Sequence, residues 1–224
     1  MTRREKLPTR KREAMRHAAR ALILLLVVQY LLHVGLLLPI QAIHMAEERE
    51  GVRGTRVLRR LWEPDIYKST LFYLSASEDA VVLSDARLTF LGWLPQFGTA
   101  LDCTGSAPLH AAERSVSQNG ESGRHMFFYG RVDDPAIETV ELSLRYISGY
   151  GRGGEKNRFE EAVLLTVPEE SWIERNGRRY FLLSYKLEDW PYESGEQTFA
   201  VGRDAAGEMI TEFAITAGSY GSYG

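Results

Sequence analysis

The sequence predicts an all-β ectodomain, a β-sandwich that is partly immunoglobulin-like, preceded by a single N-terminal transmembrane helix. Three observations predict it. One uncharged run of the 224-residue chain, Ala21 to Ile40, is almost wholly aliphatic. Many short β-rich segments follow, each bounded by turn residues. Charge divides where the apolar run begins. A composition of 44% hydrophobic and 25% charged residues excludes a disordered chain and a collagen-like fibre. The single cysteine excludes an intramolecular disulfide framework and a cysteine-rich zinc site.

Residues 1–20 hold eight basic side chains, Arg3, Arg4, Lys6, Arg10, Lys11, Arg12, Arg16 and Arg20, against Glu5 and Glu13. That segment is +6 in a chain of −3, so the remainder carries −9. An acidic domain argues against nucleic acid as its partner, because that binding is driven by phosphate neutralisation. A basic head beside an apolar run points to the lipid bilayer as a partner. The run itself would cover roughly 30 Å as a helix, the thickness of the hydrocarbon core. Gln29 and His33 sit four apart on one helical face and are its candidate helix-contact residues. The positive-inside bias then places residues 1–20 in the cytoplasm, residues 21–43 in the membrane and the rest outside the cytoplasm. Signal cleavage near Ala42 is the alternative, and it yields a secreted β-domain.

Residues 44–54 form a juxtamembrane linker, in which His44–Glu50 can continue the helix out of the bilayer until Gly51 and Gly54 end it. The β-domain spans 55–216. Its strand candidates are Thr55–Trp62, Thr70–Ser75, Ala80–Leu91, Leu109–Val116, His125–Val132, Ile137–Tyr146, Ala162–Val167, Arg179–Lys186, Gln197–Arg203 and Met209–Thr216. The alternation is cleanest over 138–146. There Val140, Leu142, Leu144 and Tyr146 face one way, and Thr139, Glu141, Ser143 and Arg145 the other. Asp133-Asp-Pro135, Asn176-Gly177 and Asp204-Ala-Ala-Gly207 are turn signals. Pro168–Glu174 reads as one short helical turn, Gly149–Gly154 as a flexible loop and residues 217–224 as a flexible tail.

The motifs of catalysis are missing. No G-x-S-x-G elbow occurs in the sequence. Cys103 reads as a small packed strand residue rather than a nucleophile. His110 and His125 lack metal-ligand spacing, and no cofactor or metal is expected. Asp133-Asp134 with Glu138, and Asp204 with Glu208, lack the calcium-loop spacing. The adjacent carboxylates Glu160-Glu161, Glu169-Glu170 and Glu188-Asp189 point to opposite faces of a strand, so none is a glycosidase pair. The apolar loop Phe90–Phe97, interrupted by Gly92 and Pro95, is the candidate interaction surface through Phe90, Leu91, Trp93, Leu94 and Phe97.

The stretch Phe128-Tyr-Gly-Arg-Val-Asp-Asp-Pro-Ala-Ile-Glu-Thr-Val-Glu-Leu142, with Phe199-Ala-Val-Gly-Arg-Asp-Ala-Ala-Gly-Glu-Met-Ile210, is similar to uncharacterised membrane-anchored extracytoplasmic β-domain proteins of Gram-positive bacteria. Leu71–Ser84 resembles their first strands. The resemblance covers about half the chain. It implies compartment and an immunoglobulin-like ectodomain, and it carries no catalytic residues. The function expected from all of this is a non-catalytic binding or sensing module of the cell envelope with an envelope protein as partner. An envelope hydrolase of wall glycan or peptide is the alternative.

Overall fold

A computed structural model of the chain describes residues 9–32, 36–62, 69–118, 124–148, 158–187, 196–215 and 221–223. Two helices precede the sheets, α1 (Thr9–Leu32) and α2 (Pro39–Arg49). Strands β1 (Arg56–Leu61), β2 (Thr70–Ala76), β3 (Ala80–Thr89) and β4 (Gly92–Asp102) form one antiparallel meander. Next come β5 (Leu109–Gln118), β6 (Arg124–Val132), β7 (Thr139–Ser148), β8 (Arg158–Thr166), β9 (Trp172–Arg175) and β10 (Arg178–Leu187). The last are β11 (Glu196–Arg203), β12 (Met209–Ala214) and β13 (Gly221–Tyr223). The second sheet has the order β13-β5-β6-β10-β9, and the third β12-β11-β7-β8.

The three sheets stack, and alternation along the strands shows how. On β6, Phe127 and Tyr129 pack with Phe72, Leu74, Val81 and Leu83 of the first sheet. Met126 and Phe128 point the other way, against Val140, Leu142 and Ala200 of the third. The second sheet is therefore the middle layer, apolar on both faces. That explains why Met126-Phe-Phe-Tyr129 shows no polar alternation. The outer face of the first sheet is covered by α2, whose Ala42 and Ile43 pack against Tyr73 and Ala86. The order of layers is helix, first sheet, second sheet, third sheet. Nothing in this order supports the immunoglobulin-like pairing expected of the second half.

The transmembrane helix expected over 21–43 is not found. Among the described residues no helix is long and apolar enough to cross a membrane. The apolar run is shared between two elements. In α1 it follows a first half holding Lys11, Arg12, Glu13, Arg16 and Arg20, and only Ala21–Leu32 is left to be apolar. At 1.5 Å per residue that stretch reaches about 18 Å, well short of the ~30 Å needed. The run then breaks. Leu36 pairs with Trp93 of β4 through two backbone hydrogen bonds of 2.7 and 2.8 Å. Pro39 opens α2 at the position where proline suits a helix start, and Ala42 and Ile43 are buried on the sheet. The cytoplasmic N-terminus and extracytoplasmic domain were deduced from that span, and they fall with it. Residues 44–49 are the end of α2. His33 and the side chain of Gln29 lie outside the described residues.

Three strands lie where other structure was expected. Phe90–Phe97 is not a loop: β3 and β4 form a hairpin through it, with Phe90 at the tip. Pro95 is tolerated because β4 is an edge strand and the register shifts at Ser84/Ala86, opposite it. Pro168–Glu174 gives a 3-10 turn, Glu169–Ser171, and then β9. Of the tail, Gly221–Tyr223 pairs in parallel with Val116–Gln118, and residues 217–220 and 224 lie outside the described residues. So does the loop Gly149–Gly154.

Candidate functional site

The sequence Arg175-Asn-Gly-Arg178 makes the tightest turn at one end of the stack. Asn176 and Gly177 both have positive φ, +53° and +72°. That is the geometry of a two-residue hairpin whose twist matches its strands. It sets Arg175 directly opposite Arg178, a like-charge pairing that destabilises a sheet unless something compensates. No carboxylate does so among the described residues. Arg175 Nη1 donates instead to the carbonyl of Val57 at 2.9 Å, and Arg178 Nη1 to that of Glu78 at 2.8 Å.

Arg56 approaches the same place from β1, the edge of the first sheet. It is exposed, and among the described residues its side chain makes no hydrogen bond or ion pair. Together these elements wall a groove of about 390 Å³ where the end of the first sheet meets the β9–β10 hairpin. Arg56, Arg175, Arg178, Asn176, Ser77 and Glu78 line it. Three arginines and one glutamate thus line the groove. Each guanidinium presents a planar fork of donors suited to carboxylate or phosphate. Neighbouring arginines reinforce the frame: Arg131 Nη1 also donates to Glu78 O at 2.8 Å, and Arg59 Nη2 to Glu170 O at 2.6 Å. Burial works against the Arg131 charge, but the Asp133 carboxylate beside it raises its pKa above the ordinary value.

A second cavity of about 240 Å³ adjoins the groove, and Gly54 lines both. His44, Glu47, Glu48, Arg53 and Thr55 line this one. Glu47 is 1% exposed. Its Oε2 accepts a hydrogen bond from the Thr55 hydroxyl, while its Oε1 has no partner among the described residues. A buried acceptor left this way is destabilising by about 1–3 kcal/mol.

The residues singled out in the sequence fare unevenly. Phe90 is 95% exposed at the hairpin tip. Trp93 is drawn into the contact between α2 and the first sheet. Leu91 and Leu94 are half-buried. Phe97 is partly exposed, with the Arg114 guanidinium 5.9 Å from its ring centroid. The acidic turns satisfy their own backbone: Asp134 Oδ1 accepts from Ala136 N–H, and Asp204 Oδ1 from Ala206 and Glu208 N–H. Among the described residues no three His, Cys, Asp or Glu side chains gather as metal ligands would.

His110 faces Asp133 at 3.3 Å, and His125 Nε2 lies 2.5 Å from Ser184 Oγ. Neither histidine lines the groove. Cys103 is buried beside β4, and burial pushes its thiol pKa up to about 11. Burial likewise raises the Tyr129 phenol above the ordinary tyrosine value. Both groups stay protonated in the fold, so the stability they lend is complete below pH ~9 and is lost as pH rises through their folded pKa values. Cys103 should therefore resist iodoacetamide at pH 8.5 in the native protein and react when urea unfolds it. Equal rates in the two states would refute the burial.

Comparison with protein families, with curated proteins and with solved structures finds no match to this chain. The resemblance to Gram-positive extracytoplasmic proteins gains no support there.

The arginine groove was missed in the sequence because its walls lie more than a hundred residues apart. The one local signal was Arg175-Asn-Gly-Arg178, a hairpin turn flanked by like charges.

Proposed function

We propose that this protein is a non-catalytic interaction module that docks an anionic group of its partner in the arginine groove. The observation that carries this is the set Arg56, Arg175 and Arg178, three arginines around one cavity with no carboxylate ion-paired to any of them among the described residues. Two of the three are held opposite each other, an arrangement that an incoming anion relieves. The groove offers donors rather than a nucleophile and base. Its hydroxyl at Ser77 accepts a hydrogen bond from Ala80 N–H and so serves the β2–β3 turn.

Inorganic phosphate tests the proposal. A ligand that binds only the folded state stabilises it by about 2.7 kcal/mol at a hundred times its Kd. Arg56→Ala is the clean probe, since the Arg56 side chain makes no hydrogen bond or ion pair within the described residues. The expected result is a phosphate-dependent rise in Tm that Arg56→Ala reduces, with its Tm in buffer within a degree or two of the parent. Sodium chloride of matched ionic strength controls for screening. The same rise in both proteins would remove the groove as the site.

A further inference from the structure

The groove and the cavity beside it differ in chemistry, and the difference selects a class of ligand. Resting on the anion-docking role proposed above, we infer that the partner segment is an extended acidic peptide running from the arginine groove over Gly54 into the Glu47 cavity. The groove asks for carboxylates or phosphates, through Arg56, Arg175 and Arg178. The adjoining cavity asks for a donor, because the buried Glu47 Oε1 has no hydrogen-bond partner. Arg53 stands on the rim of the same cavity, and among the described residues it makes no hydrogen bond or ion pair.

An acidic polypeptide supplies both in one strand. Its side-chain carboxylates meet the guanidinium forks, and its main-chain N–H groups are obligatory donors. A chain of phosphates or sulfates supplies only acceptors along its backbone and would set them against Glu47. Gly54 has φ +69° and no atom within 4 Å of where a Cβ would stand, so the wall between the cavities is low and open. An extended peptide of about eight residues, at about 3.4 Å each, spans roughly 27 Å.

The experiment compares three probes on the whole chain by fluorescence anisotropy and competition: an eight-residue peptide of alternating Glu and Ser, polyphosphate of equal charge, and inorganic phosphate. The peptide is expected to bind about tenfold tighter than polyphosphate. Glu47→Gln leaves a single acceptor oxygen, which Thr55 claims, so it should weaken the peptide about fivefold and leave inorganic phosphate unchanged. Arg53→Ala should do the same, being outside the groove, whereas Arg56→Ala weakens all three. Polyphosphate binding as tightly as the peptide would overturn the inference. So would peptide affinity unchanged by both Glu47→Gln and Arg53→Ala, and in either case a surviving Arg56 effect leaves the anion groove standing. Loss of all binding in the parent protein would overturn the groove itself. Circular dichroism of each variant separates lost binding from lost fold.

Discussion

Gly130→Ala should destabilise the protein by at least about 3 kcal/mol, measured as a shift in urea midpoint at unchanged m-value. Gly130 lies on β6, in the interior of the middle sheet, and its missing side chain is a packing requirement rather than a turn requirement. A Cβ there would stand 2.1 Å from the carbonyl oxygen of His110 on the neighbouring strand β5 and 2.7 Å from the ring of Phe181 on β10. Neither neighbour can retreat. The carbonyl belongs to the ladder that pairs β5 with β6. Phe181 is fully buried and holds Trp172 edge-on, with ring centroids 5.8 Å apart. Three strands of the middle layer would have to separate to admit one methyl group. Since both outer sheets rest on that layer, the damage would reach all the cores. Gly105→Ala is the control: it has no atom within 4 Å and no positive φ, so it should change stability by less than about 0.5 kcal/mol. A Gly130→Ala protein as stable as the control would mean that the middle sheet is not packed as described.

The same layer explains what could be read from the sequence and what could not. Strands with one wet face, such as β7, announce themselves by alternation: Val140, Leu142 and Leu144 are buried, while Glu141 and Arg145 reach the outer face. The turns were equally legible, because positive φ at Gly177 and Gly207 demands particular residues. β4 was not, since Gly92, Pro95 and Gly98 carry loop chemistry in a strand that survives only by lying at an edge with a register shift beside it. The stacking of three sheets was half-visible in the unbroken apolar run of β6, whose meaning depends on what covers each face, and that is decided by distant chain. The apolar run misled for a related reason. A window of hydropathy cannot distinguish one long span from a helix end, a bridge to Trp93 and a second helix buried on a sheet. Pro39, within the run, was the local sign of the break.

Arg114→Ala should cost about 3–5 kcal/mol, more than the packing lost with the side chain's own stem. Arg114 on β5 and Asp85 on β3 are both 0% exposed, and their ion pair crosses the contact between the first and middle sheets. Arg114 Nη1 also donates to Leu83 O at 3.3 Å. Removing the arginine takes a salt-bridge partner from a carboxyl group that is 0% exposed. Replacing both partners is a different experiment. Asp85→Leu with Arg114→Met removes two desolvated groups and adds apolar volume of similar size. It should recover most or all of the loss, a coupling of several kcal/mol in the double-mutant cycle. Losses that simply add would show that the pair is not a unit. The two facing surfaces are otherwise built of residues such as Leu74, Leu83, Phe127 and Leu182, which pack in more than one alignment. Asp85 and Arg114 meet in only one, and so does the Tyr129 hydroxyl, which donates to Thr99 O across the same contact at 2.8 Å. If alignment is what the pair supplies, the double variant keeps its urea midpoint but places the first sheet less uniquely. Because Arg56 rides on that sheet and Arg175 on the other, it should then bind phosphate more weakly than the parent while remaining equally stable.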